Sequence, residues 1–173
     1  MDSIHYQLAK TMIKKAKPTK EQFALAEKLG ISIDNDSQQV AAARLMDAVS
    51  LAIGMREGEV PPTENQINFA DELGIDVRLD SKRISRAKIA EKLNENSFLA
   101  IIKMNLQPGD IVYLRDDYEM SDCEKGIHPR KYIISSIQSN GRVWFKGGNG
   151  TGAWASQIVK VNIFANQSVK VDV

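Results

Sequence analysis

"PTKEQFALAEKLGISIDNDS", Pro18 to Ser37, returns as "PTENQINFADELGIDVRLDS", Pro62 to Ser81, and this offset of 44 residues decides how the first half of the chain is read. The gap-free match runs on to Val49 and Leu93. Its identical pairs include Pro18/Pro62, Thr19/Thr63, Gln22/Gln66, Ala26/Ala70, Leu29/Leu73, Gly30/Gly74, Ile31/Ile75, Asp36/Asp80, Ser37/Ser81 and Ala43/Ala87. A period this long implies a duplicated supersecondary unit. In each copy a threonine followed three residues later by glutamine predicts a capping box, with the preceding proline stopping the helix from extending backward. Phe23, Ala26 and Leu29, matched by Ile67, Ala70 and Leu73, supply the apolar stripe, and Gly30 or Gly74 the left-handed end. After an extended loop, Ser37 or Ser81 caps a second helix. Its stripe reads Val40, Ala43, Met46 and Val49, or Ile84, Ala87, Ala90 and Leu93.

Outward from the repeats, Ile4, Leu8 and Met12 predict a leading amphipathic helix over 3–16, and a short helix is expected over 97–105 before the turn Pro108-Gly109-Asp110. Beyond it the period changes. "DIVYLR", "KYIISSI", "RVWFK" and "SQIVKV" are β-branched or aromatic runs separated by turns such as Ser139-Asn140-Gly141. The expected fold class is α+β: an N-terminal all-helical domain, 1–106, containing a two-fold helical repeat (18–53 and 62–95), and a small antiparallel SH3-like β-barrel, 107–173.

"FKGGNGTGAW", Phe145 to Trp154, holds a G-x-G-x-x-A string, yet no helix follows it to receive a pyrophosphate and no Lys-Ser or Lys-Thr follows its last glycine. A hairpin is expected there, with Trp154 in the barrel core. The chain of 173 residues, 43% apolar, carries 23 basic against 22 acidic side chains, so net charge alone indicates no pull toward nucleic acid. One cysteine, Cys123, makes no internal disulfide, and His5 and His128 are too few for a structural zinc site. An ordinary lone thiol fits Cys123 better than a nucleophile with His128 as its base, since such partners usually come from separate chain segments. No catalytic set, cofactor, metal or small-molecule substrate is expected. No run spans a membrane, and Met1 to His5 lack the order of a signal peptide, so a cytoplasmic protein is expected.

Each repeat, over Pro18 to Ser50 and Pro62 to Asn94, resembles the helix-extended loop-helix modules of the SAP, HeH and LEM-like class, a resemblance that implies binding of DNA or partner proteins. SAP-type modules usually place glycine and lysine before the second helix; here Asp80-Ser81-Lys82 keeps only the lysine and Asp36-Ser37-Gln38 neither. The segment from Gly109 to Val161 resembles small barrels of the Tudor, KOW or Src-homology-3 kind, which bind peptides, nucleic acid or protein surfaces. Together they are similar to small proteins of bacteriophage and mobile elements.

Two basic clusters are candidate nucleic-acid contacts. Lys82, Arg83, Arg86 and Lys88 crowd the start of the second repeat's second helix, where phosphate contact competes with a merely solvated face. In Arg142-Val143-Trp144-Phe145-Lys146 the strand period sends Arg142, Trp144 and Lys146 to one face, a stacking and phosphate platform unless another part of the chain covers Trp144. Arg130 and Lys131 extend the basic set. The stretch "DDYEMSDCE" lacks the ligand pattern of a calcium loop and reads as a solvated acidic loop. The expected function is non-catalytic binding of DNA or a nucleic-acid-processing protein. The alternative is an inhibitor of a host defence nuclease, anti-CRISPR-like, whose Asp116, Asp117 and Glu119 imitate DNA phosphates.

Overall fold

The computed structural model describes residues 15–121 and 128–160. The expected leading helix lies outside them except for Lys15 and Ala16, which are in no regular element, and Cys123 and His5 lie outside them altogether. The described part is mixed α+β: five α-helices and a five-stranded antiparallel sheet. No described helix is long and apolar enough to cross a membrane.

Thr19 opens α1 (Lys20–Leu29) and Thr63 opens α3 (Glu64–Glu72), each through a complete capping box. Gln22 N donates to Thr19 Oγ1 at 3.2 Å while Thr19 N donates to Gln22 Oε1 at 2.9 Å, and the Thr63 and Gln66 distances are 3.3 and 3.0 Å. The remaining amide hydrogens reach forward. Gln22 Nε2 donates to Gln38 O and Gln66 Nε2 to Lys82 O, tying each first helix to the start of α2 (Gln38–Ala52) and α4 (Lys82–Met104). Gly30 and Gly74 sit at φ of 67° and 71°, and Ile31 and Ile75 donate back to the carbonyls of Ala26 and Ala70, which turns both isoleucines onto the helices they follow.

The helical core is layered by equivalent positions. Ala26, Ile33, Ala41 and Leu45 form one cluster; Ala70, Val77 and Ile89 form another; Val40, Ala43, Ile84 and Ala87 join the two. The expected α2 stripe is therefore corrected in its second half. Met46 is 56% exposed and Val49 is exposed too, while Ala41 and Leu45 face inward, because α2 must cover α1 and α4 from adjacent sides. Phe23 is likewise exposed, leaving Ala26 to carry the close contact.

The short helix expected over 97–105 does not exist as a separate element. Between Lys82 and Met104 there is neither proline nor glycine, so α4 runs through the polar Asn94-Glu95-Asn96 and ends at Asn105, φ 47°. Compact packing divides the chain between Glu95 and Asn96, inside α4 and ahead of the expected 106/107 boundary. Ala100, Ile101 and Met104 pack against the core of the sheet.

In that second unit the strands β1 (Ile111–Leu114), β2 (Tyr132–Ile137), β3 (Arg142–Phe145), β4 (Gly152–Trp154) and β5 (Ile158–Val159) take the order β4-β3-β2-β1-β5, with a register shift in β2 between Ile134 and Ser136. Alternation buries Val112, Ile134, Val143, Phe145, Ala153 and Ile158 with Leu106 and Ala155. The glycine string is a hairpin joining β3 to β4, with Gly147 and Gly150 at positive φ. The acidic stretch begins as a short helix, α5 (Arg115–Glu119), where a loop was expected.

Candidate nucleic-acid interface

The basic start of α4 is less available than its sequence implies. Arg83 reaches the buried Asp47 at 2.8 Å and Glu57 at 3.4 Å, and Lys88 reaches Asp80 at 2.7 Å. Ser81 Oγ donates to Asp47 as well. Forty-four residues earlier Ser37 Oγ donates to Glu91, which Lys15 meets at 3.3 Å, and Arg44 binds Asp36 at 2.7 Å. Asp47 and Glu91 are themselves equivalent positions, so each second helix receives the other's capping serine. The cations recruited to this reciprocal clasp are internal partners, which leaves Lys82 and Arg86, both exposed and in no ion pair among the described residues. A cavity of about 340 Å³ beside the clasp is lined by Lys15, Asp36, Ser37, Asp76, Lys88 and Glu91 among others. The Arg78 backbone N–H donating to Asp76 holds that exposed carboxyl below its ordinary range.

The sheet presents a different chemistry. Cross-strand register sets Arg142 opposite Trp154 and Trp144 opposite Gly152. Because Val143, Phe145 and Ala153 point inward, Arg142, Trp144 and Trp154 all point outward and stay half-buried. The Arg142 guanidinium lies over both indoles, 5.2 Å from the centre of Trp144 and 5.6 Å from that of Trp154, within cation–π range of each. Its Nε is buried and finds no hydrogen-bond partner among the described residues, so stacking holds this side chain. Gly152 makes room for Trp144: a Cβ there would stand 2.9 Å from Trp144 Cε3 and 2.6 Å from Val143 O. Lys146, exposed, follows β3 as the first residue of the turn, its N–H bound to the carbonyl of the exposed Ile133.

Trp154 is thus corrected from core to surface. Ala153 and Ala155 occupy the interior positions on either side of it, and the two-residue period then sends the indole out. The pairing of "RVW" with "GAW" across a hairpin was the signal that identifies it, since that register alone sets Trp154 opposite Arg142. Arg130 lies over Tyr132, whose ring packs at 4.5 Å on the inward Phe145, so it belongs to the opposite side of the strand from Trp144. Lys131 is exposed. Asp116 and Glu119 are exposed and Asp117 half-buried, with no ion pair among the described residues, beside an exposed Tyr118 and Met120. Among the described residues no three His, Cys, Asp or Glu side chains are grouped to hold a metal ion. No protein-family model, curated protein or solved structure matches the chain.

Proposed function

We propose that this chain is a non-catalytic binding protein that engages nucleic acid through the outer face of its sheet, and that it is built from two helix-extended loop-helix modules and a small SH3-like barrel. One observation carries the functional reading: Arg142 lies over two half-exposed tryptophans, with the exposed Lys146 directly after β3. An outward aromatic pair with adjacent cations offers π-faces to bases and charge to phosphates. The modules are supported by capping, forward-reaching and clasp hydrogen bonds that recur 44 residues apart. The barrel is supported by the return of β5 to β1 after a 3₁₀ turn, Ala155–Gln157, and by the irregularity that bends β2.

Fluorescence anisotropy with a labelled oligonucleotide at low salt tests the function. Binding is expected, and Trp144→Ala should weaken it more than Lys82→Glu with Arg86→Glu, which removes only an auxiliary contact and costs about threefold or less. Equal loss from both variants, or loss from the helical variant alone, would move the interface to α4.

A second reading, a protein-directed inhibitor, draws on α5. Three carboxylates beside exposed Tyr118 and Met120 combine charge with apolar anchors, as protein interfaces do. Charge reversal at Asp116, Asp117 and Glu119 should abolish capture of a nuclease partner if that reading is right, and leave oligonucleotide binding intact if the first one is.

A further inference from the structure

A duplex and a single strand make different demands on a face of this kind. A duplex hides its base faces in its own stack and offers phosphate ridges, so recognising it takes several cations or an element that enters a groove. The cations of β3 and of the turn residue that follows it are two, Arg142 and Lys146, and Arg142 is turned onto the indoles. The described elements of the face are the strands β3 and β4, with the Trp144 indole lying across Gly152. The face offers two half-exposed indoles and little phosphate-binding capacity. An unpaired base, with both faces open, gains from the first and needs little of the second.

We propose, resting on the nucleic-acid reading above, that the ligand of this face is single-stranded nucleic acid, with bases stacked on Trp144 and Trp154 and Lys146 placed for a neighbouring phosphate. Arg142 fixes the indoles relative to one another and is a positioning residue. With Lys146 as the phosphate contact, the slope of log affinity against log salt is shallow, about −1.

The test compares a fluorescein-labelled 20-nucleotide oligothymidylate with a 20-base-pair duplex carrying the same label, in one buffer, on the full chain. The single strand is expected to bind at least tenfold more tightly. Trp144→Ala should lose about tenfold to a hundredfold of that affinity, the scale of one base–aromatic stack, and Trp144→Phe should recover most of it. Arg142→Lys keeps the charge but loses the planar stack, and should weaken single-strand binding while leaving the salt slope nearly unchanged. A duplex bound as tightly as the single strand, or Trp144→Ala binding like the parent while its melting temperature is also unchanged, overturns the single-strand proposal and leaves nucleic-acid binding standing. Failure of both probes to bind at low salt overturns both.

Discussion

Gly152 shows how one missing side chain makes room for the Trp144 indole. Its place opposite Trp144 is closed to any Cβ by Val143 O and the indole, so Gly152→Ala should displace Trp144 or the strand and destabilise the sheet unit by about 1–3 kcal/mol, read as a lower melting temperature. A second residue-scale prediction concerns Asp47. Removing this buried carboxylate by Asp47→Ala strands the hydroxyl of Ser81 and leaves Arg83 with Glu57 alone, and since Arg83 is itself partly solvated the cost should fall below the range for fully buried pairs, about 2 kcal/mol by denaturant titration. A neutral effect would mean that the clasp is decoration. At this scale the sequence was partly legible. The outward direction of Arg142 and Trp144 follows from strand period alone, but the pairing of Arg83 with Asp47 joins residues on different helices, and no local pattern announces it.

Among the elements, the capped helices were the most readable because their signals are local: threonine, glutamine three residues later and a terminal glycine act within one helix. Thr19→Ala and Thr63→Ala should each cost about 1 kcal/mol, and matching losses at the two sites, measured by thermal unfolding, would be expected from the equal geometry of their boxes. Strongly unequal losses would show that one helix leans on tertiary packing instead. The long helix α4 was misread for the converse reason. Polar Asn94-Glu95-Asn96 resembles a break, yet residues on both sides are held by cores far apart in sequence, Ile84 and Ala87 against α2 and Ile101 and Met104 under the sheet. Tertiary contacts of that kind override weak local propensity. Trp154 was misplaced similarly, since a tryptophan suits a core by composition and only the β3–β4 register turns it outward.

Across the whole molecule, near-neutral charge conceals how the cations are used. In the helical unit the described Lys15, Arg44, Arg83 and Lys88 answer carboxylates, whereas on the sheet Arg142 answers aromatic rings. Binding governed by stacking resists salt better than binding governed by phosphate contacts. The chain's two tryptophans, Trp144 and Trp154, both lie on the proposed face, so selectively excited tryptophan emission reports on that surface. The most direct measurement is therefore tryptophan fluorescence during titration with an unlabelled oligothymidylate. A saturable quench that follows the same binding curve as anisotropy is the predicted result; emission that stays constant while the oligonucleotide is bound would contradict the assignment of the interface to the sheet.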